Sequence, residues 1–496
     1  MQSLILSIDQ GTTSSRAVLM DRNGCILHAQ QKEFTQYFPD DGWVEHDPKE
    51  IWETTLAVSR EVLNKCSALS GKVEAVGISN QRETSVVWDR RTGEPVYNAI
   101  VWQDRRTENY CESLRQDGLT QRIQHKTGLL IDPYFSATKF AWILENVSGV
   151  RDRAELDELA FGTIDSFLIW HLTAGKSHVT DATNAARTML YDIRCQRWDQ
   201  ELLELFSIPE HCLPQVLDCA DDFGVTEKRV LGETIPICGV AGDQQAALIG
   251  QACFQSGMVK STYGTGCFMM INTGSELVQS QHQMLSTVAY RLGTKTCYAL
   301  EGSIFVAGAA LQWLRDGLQI IDNAANSEQL AKSLEDNCGV YLVPALTGLG
   351  APHWIPSARG AIFGMTRDTG RAQIVRAALE SVAYQTADLL NAAHTDADEF
   401  KRLRVDGGMA RNDWFCQFLS NVLDLPVDRP YSTETTVLGA AYLAGLHIGM
   451  FSTLEAISDN WECDRRFDVT MDASQRDRLL AGWRKAVGMV IGFAEK

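Results

Sequence analysis

The sequence predicts an α/β protein made of two copies of one unit facing a central cleft. Three observations carry that expectation. A chain of 496 residues exceeds what one core supports, and its short apolar runs alternate with amphipathic stretches. The chain opens on Leu4-Ile5-Leu6-Ser7-Ile8, breaks on Asp9-Gln10-Gly11-Thr12-Thr13-Ser14-Ser15-Arg16 and resumes at Ala17-Val18-Leu19-Met20, which reads as strand, tight turn, strand. A weaker echo follows about halfway along: Gly257 to Met270 again reads as strand, glycine turn, strand, with Gly264-Thr265-Gly266 at the bend. Two units dividing near residue 250, spanning 1–249 and 250–496, explain both length and echo. Two unrelated glycine turns would give the same echo.

The remaining elements follow in order. Pro48 to about Lys65 is expected to be a helix, with Asp47 as its cap and Pro48 in the first turn. Val73 to Ser79 and Thr84 to Asp89 read as strands bracketing the polar turn Asn80-Gln81-Arg82-Glu83-Thr84. Ile235 to Val240 reads as a strand running into Gly242, Asp243 and an apolar helix start. Gln373 to Ala393 is a second helix, with Val375, Leu379, Val382 and Leu389 at helical spacing and Thr386 filling the row.

Four of these places carry chemistry. In the opening turn, Gly11 allows close approach of the backbone, Thr12, Thr13 and Ser14 supply hydroxyls and N–H donors, Arg16 a cation and Asp9 a carboxylate for a hydrated divalent ion. These groups suit a nucleotide's phosphates, and they equally suit a polar surface hairpin. Asp243, just past a strand end, fits a helix cap or a carboxylate that accepts an alcohol's proton in phosphoryl transfer. Val405-Asp406-Gly407-Gly408-Met409-Ala410-Arg411-Asn412 fits a loop against a base or phosphate, or an ordinary strand-to-helix loop. Arg82 and Glu83 converge on one ligand if they lie in a turn, donor beside acceptor, as a polyol requires; otherwise they are a surface charge pair.

Composition excludes several classes. A net charge of −18 argues against a nucleic-acid partner. The 13 cysteines are scattered, with neither Cys-x-x-Cys nor His-Glu-x-x-His, so zinc and disulfide frameworks are not expected and reduced thiols in a cytoplasmic protein are. No apolar run is long enough for membrane insertion, and the opening run is too short for a signal peptide. Gly175-Lys176-Ser177 ends like a Walker A loop, but Trp170 occupies the place of its first glycine; Met269 likewise spoils a dinucleotide fingerprint at Gly264. A nucleotide would therefore be held by the strand–turn–strand type of grip found in actin, hexokinase and heat-shock ATPases.

In combination and order, these motifs resemble the FGGY family of carbohydrate kinases along nearly the whole chain. The matching segments are Asp9 to Arg16, Gly42-Trp-Val-Glu-His-Asp-Pro48, Asn80 to Thr84, Asp132-Pro-Tyr-Phe-Ser136 with Lys139 and Trp142, Ala241 to Ala246, Thr262 to Phe268 and Asp406-Gly-Gly408. The Asn80 to Glu83 and Asp132 to Tyr134 segments resemble members acting on glycerol rather than on xylulose or gluconate. The resemblance implies two actin/hexokinase-like, ribonuclease H-like domains, the first with polyol site and phosphate hairpin, the second with the nucleotide site. It implies ATP-dependent phosphorylation of glycerol to sn-glycerol 3-phosphate with Mg²⁺, in a homo-oligomer, dimer or tetramer. By position, Arg82, Glu83, Tyr134, Asp243 and Gln244 would hold glycerol, with Trp102 and Phe268 as apolar walls and Asp243 as general base. Thr12, Thr13, Ser14 and Arg16 would meet the phosphates, Asp9 the metal, and Thr265, Gly308, Gln312, Gly408 and Asn412 the rest of the nucleotide. One departure stands out: some members bind a sugar bisphosphate through a glycine-rich loop, or are phosphorylated on a histidine, in the stretch matching Asp222 to Thr234. That stretch has neither the glycine cradle nor a histidine here, so neither control is expected. Another sugar or polyol kinase of this fold, and an actin-type nucleotide-driven binding protein, are the competing readings.

Overall fold

The computed structural model describes residues 2–66, 69, 71–394 and 400–494. Two mixed sheets organise it. The first has the order β5-β4-β1-β2-β3, from β1 (Gln2–Gln10), β2 (Ser14–Asp21), β3 (Ile26–Glu33), β4 (Gly71–Asn80) and β5 (Ile237–Gly242). The second has the order β8-β9-β7-β6-β10-β11-β12, from β6 (Val259–Tyr263), β7 (Cys267–Gly274), β8 (Leu285–Leu292), β9 (Lys295–Ile304), β10 (Leu403–Asp406), β11 (Val427–Pro430) and β12 (Cys463–Phe467). In each, a central strand (β1 or β6) pairs antiparallel with the next strand and parallel with a later one (β4 or β10), which pairs parallel with a further strand (β5 or β11). The halfway echo is thus a repeat of topology, not a coincidence of turns.

Local chemistry explains the helices that matter here. In α1 (Pro48–Leu63) the Asp47 carboxylate accepts from Lys49 N–H at 2.9 Å, and Ile51, Val58 and Val62 face the first core. In α4 (Arg371–His394), the row of Val375, Leu379, Val382 and Leu389 is buried; Thr386, inside that row, donates to the Val382 carbonyl at 2.8 Å and meets the Tyr263 hydroxyl at 3.1 Å. Its polarity is therefore satisfied within the core. No helix among the described residues is long and apolar enough to cross a membrane.

The halves are joined by α2 (Asp243–Gly250), which follows β5, and α6 (Thr435–His447), which follows β11. These two helices occupy equivalent places in the repeat and each packs on the other half's sheet: α6 on β1, β4 and β5, and α2 on β6, β7 and β8. Glycine makes the approach possible. A Cβ on Gly439 would lie 1.8 Å from the Ala246 carbonyl oxygen, and one on Gly250 would lie 1.9 Å from that of Thr435. Gly77 and Gly239, on the first sheet, leave room for Ala440 and Ala444 in the same way. A single apolar core containing Ile5, Met20, Ala246, Ile249, Met270 and Ala441 spans both halves. The expected division at 249/250 falls at the end of α2, so both sheets are bridged across it.

Gly439→Ala should lower the thermal midpoint by an amount equivalent to about 1–3 kcal/mol, the usual cost of overpacking. Differential scanning calorimetry of the variant checks this; an unchanged midpoint would show that the helices can separate freely.

Candidate active site

The turn from Gln81 to Thr84 is tight. Glu83 has a φ of 58°, in the left-handed region, and Thr84 N–H donates to the Arg82 carbonyl at 2.7 Å. A non-glycine residue there costs of order 1–3 kcal/mol and persists only where its surroundings enforce it. The result is that neighbouring side chains point the same way. They are not a surface pair: Arg82 is 2% exposed and Glu83 1%.

Two partners that the sequence did not indicate complete the set. Arg82 donates to Glu301 at 2.5 and 3.0 Å, and Arg187 donates to Glu83 at 2.6 Å and to Glu301 at 2.9 Å. Glu301 comes from β9, so the second half supplies one corner of a charge square whose other corners belong to the first. The square is neutral, two guanidiniums against two carboxylates. Burial works against ionised Glu301, but Arg187 and Arg82 outweigh it and hold its pKa down at about 2. Glu83 touches one guanidinium closely and stands 4.0 Å from the other, and burial prevails there, raising its carboxyl.

Asp243 is the first residue of α2, but it does not cap it; Gly242 occupies the cap position. One Asp243 oxygen accepts from Gln244 N–H at 2.7 Å and lies 3.1 Å from Arg82 Nε. Its side chain keeps 29% exposure, against 2% or less across the square. Asp243 is thus the carboxylate of this group that a solute can reach. Arg82 also reaches the Tyr134 hydroxyl at 3.5 Å. Burial pushes that phenol far up, so it stays protonated and can donate. Trp102 and Phe268 rings stand 6.0 Å apart, and Trp102 and Tyr134 5.6 Å apart, forming apolar walls.

Gln244 is pinned from behind. Lys260, buried on β6, donates to Gln244 Oε1 at 2.5 Å and to Thr262 at 2.8 Å. With its oxygen engaged, Gln244 has only its NH₂ donors to offer a ligand. The sequence analysis did not single out Lys260, which stands second in β6, between Val259 and Ser261.

A cavity of about 2030 Å³ opens above this floor. Thr12 and Thr13 line one side, Thr262, Gly264, Thr265 and Gly266 the other, and Trp102, Tyr134, Gln244 and Phe268 lie among its walls. The two glycine turns therefore face one space. Asp9 sits where β1 enters its turn; Ser79 donates to it at 2.7 Å. Burial raises its carboxyl to about 6, the Ser79 bond opposes this, and the charge of Asp243 adds to it.

Asp9, Arg82, Glu83 and Asp243 are not among the residues lining this cavity, and the remaining predicted residues also lie off its wall. Arg16 is paired with Glu434, just before α6, and so ties the opening hairpin to the second half. Ser14 accepts from Gln31 at 2.8 Å. Gly308 begins α3 (Gly308–Asp316); its N–H donates to the Gly264 carbonyl at 3.0 Å, and Gln312 is exposed on the same helix. Gly408 is exposed in the turn after β10. Asn412 uses its side-chain oxygen to cap α5 (Asp413–Leu423), accepting from Phe415 N–H at 2.9 Å. Asp406, the last residue of β10, accepts from Gln251 at 2.7 Å and Thr435 at 2.8 Å, joining the end of α2 to the start of α6.

Comparison with known proteins gives a consistent result. Residues 4–250 match the family model described as FGGY family of carbohydrate kinases, N-terminal domain, and residues 259–448 match the C-terminal domain of the same family. The chain is 58% identical over 490 residues to a glycerol kinase of Marinomonas sp. (strain MWYL1), covering 99% of each chain. It is likewise 58% identical over 490 residues to glycerol kinase 1 of Pseudomonas aeruginosa, again covering 99% of each. Among solved structures, Plasmodium falciparum glycerol kinase with ADP superposes with a TM-score of 0.93 at 37% identity, covering 99% of this chain and 98% of that one. A gluconate kinase from Lactobacillus acidophilus shares the fold, with a TM-score of 0.88 at 22% identity, 100% of this chain and 99% of that one being covered.

Glu301→Gln should destabilise the protein by about 3–5 kcal/mol, since two buried guanidiniums lose a shared countercharge. Denaturant titration measures it. The sign of the pH dependence follows from a folded pKa held below the ordinary glutamate value: the Glu301 contribution is complete above that ordinary value and is lost as pH falls toward about 2. In the variant, that part of the acid-induced loss should be missing.

Proposed function

This chain belongs to the FGGY family of carbohydrate kinases, and we infer that it transfers the terminal phosphoryl group of ATP to glycerol, giving glycerol 3-phosphate. One observation carries the reading beyond the relatives' identity. Arg82, Glu83, Tyr134 and Asp243 converge beneath a phosphate-type turn, with donor and acceptor groups alternating and two aromatic walls beside them. A small triol needs this mixture: acceptors for its O–H groups, donors for its oxygens and apolar surface for its carbons.

The residues divide the chemistry as follows. Asp243, reachable by solute and oriented by Arg82 at 3.1 Å, takes the proton from the attacking hydroxyl. Glu83 is held by Arg187 through Oε1, and its other oxygen accepts no hydrogen bond among the described residues, so it is available to a substrate hydroxyl. Gln244, its oxygen occupied by Lys260, presents N–H donors. A substrate lacking a hydroxyl would leave buried charged groups without partners, a penalty much larger than that of a lost methylene contact. The nucleotide phosphates lie between the turns at Thr12 and Thr265. Asp9 fits the hard oxygen ligand that Mg²⁺ takes together with phosphates. When bound, Mg²⁺ offsets negative charge on the phosphate oxygens. All thirteen cysteines are unpaired, which supports a reducing, cytoplasmic setting.

A coupled assay of ADP release over a panel of polyols and sugars tests the assignment: glycerol should stimulate turnover most, whereas turnover indifferent to acceptor would speak for a nucleotide-driven binding protein. Asp243→Asn should lower kcat by about 10²–10⁴ with ADP affinity retained; a loss under about tenfold would remove Asp243 from the base role. The Asp9 carboxyl, raised to about 6, binds a cation only when ionised. Apparent Mg²⁺ affinity should therefore fall as pH drops from 7 to 5, and Asp9→Asn should abolish that pH dependence.

A further inference from the structure

Gly42 and Val44 line the cavity, and His46 of the same segment lies directly behind the opening turn. We propose that His46 is a positioning residue for nucleotide binding: as the Nε2–H tautomer it fixes Gln36 and Gln81, whose amides draw the Gly11 and Thr12 carbonyls back, so that the turn shows an anion only hydrogen-bond donors. This rests on the kinase reading of the same site.

The bond directions can be followed atom by atom. Gln36 Nε2 donates to the Thr12 carbonyl at 3.0 Å, which turns Gln36 Oε1 toward His46 Nε2, 2.6 Å away. That nitrogen must therefore carry the proton. His46 Nδ1 is then an acceptor, and it faces Gln81 Nε2 at 3.4 Å. The two hydrogens of that Gln81 amide are shared among three acceptors, His46 Nδ1, Gln10 Oε1 at 3.0 Å and the Gly11 carbonyl at 3.2 Å, while Thr84 donates to its oxygen at 2.9 Å. Every rotor in the chain is thus fixed by the next. His46 is fully buried against the edge of Phe34, and burial lowers its pKa to about 3, so the ring stays neutral.

The consequence appears at the turn. The Gly11 carbonyl accepts from Gln10 and Gln81, that of Thr12 from Gln36, that of Thr13 from Phe34 N–H at 3.3 Å and that of Ser14 from Gly11 N–H at 2.9 Å. All four acceptors that would repel a phosphate are occupied. The Thr12 hydroxyl is polarised in the same sense. Trp102 Nε1 donates to Thr12 Oγ1 at 3.0 Å, leaving that hydroxyl proton free to donate into the cavity, while Ser14, off the cavity wall, accepts from Gln31 Nε2 at 2.8 Å.

The test uses the full chain, with Mg·ADP binding by calorimetry and steady-state KM for ATP and glycerol. His46→Leu should weaken ADP binding and raise KM for ATP by about tenfold or more, the order expected for mispresented donors to a charged ligand, while KM for glycerol holds. His46→Gln, whose amide can still donate to Gln36, should recover most of the loss. Gln36→Met, on the cavity wall and partly exposed, should repeat the His46→Leu effect without a fall in melting temperature, and it decides the matter if His46→Leu fails to fold. Parent-like ADP affinity in Gln36→Met, or a KM for glycerol rising in step with that for ATP, would overturn the positioning role. A parent chain that binds no ADP would instead overturn the kinase reading, and this proposal with it.

Discussion

The approach of α2 to α6 is the constraint on which the remaining geometry depends. Backbone meets backbone at Gly439 and Ala246 and again at Gly250 and Thr435, at separations that no side chain at the glycines would allow. That contact fixes how the two sheets face one another. Asp243 stands at the start of α2, Gln251 just after its end, and Thr435 at the start of α6; Asp406, on the strand leading into the glycine loop of the second half, holds Gln251 and Thr435 together. Any change in the angle between the halves therefore reaches Asp243, the glycine loop and the α2–α6 contact together. A two-domain kinase uses such a motion to close around its acceptor and exclude water.

The charge square extends this dependence to the polyol pocket. Burying ions is expensive, and an apolar replacement of similar volume is often no less stable. Stability alone is thus a poor reason for Arg82, Arg187, Glu83 and Glu301 to lie together. Their arrangement has a different effect. Glu301 belongs to the second half, yet it is the carboxylate that both guanidiniums share. The fork of Arg82 is spread over Glu301, Asp243 and Tyr134, so these side chains are aligned only when both halves are in place.

Most of the architecture was legible in the sequence because it rests on local signals. The opening turn, the Asp47 cap, the helix ending near His394 and the repeat of the strand–turn–strand unit are each contained within a short window. What was not legible depends on distant pairing. Arg187 lies 104 residues from Glu83, and Glu301 lies 219 residues from Arg82. Each sits in a segment that reads as ordinary helix end or strand. The low amphipathicity of α6 has the same origin: it is buried on nearly all sides between sheet and helix, so no polar stripe marks it. Arg16 and Asn412 show the converse. Their residue types fit phosphate and base, while the structure gives each a protein partner, Glu434 and the α5 N-terminus.

The two turns reach one electrostatic result by different means. In the second, the Gly264 carbonyl accepts from Gly308 N–H, that of Thr265 from Ala307 and Ala309, and that of Gly266 from Gly264, all within 3.0 Å. The backbone of the α3 N-terminal turn does there what Gln10, Gln36 and Gln81 do at the first turn. Behind the second hairpin stands the N-terminal turn of α3, which follows β9 and supplies N–H groups; behind the first hairpin stand β4 and the loop before α1, so side-chain amides take that part. Both leave donors facing the shared cavity, and a polyphosphate, which accepts and never donates when ionised, is the ligand for which that polarity is useful on both sides at once. The repeat is therefore one of electrostatic outcome as well as of strand order, and the outcome is kept where the residues that produce it are not.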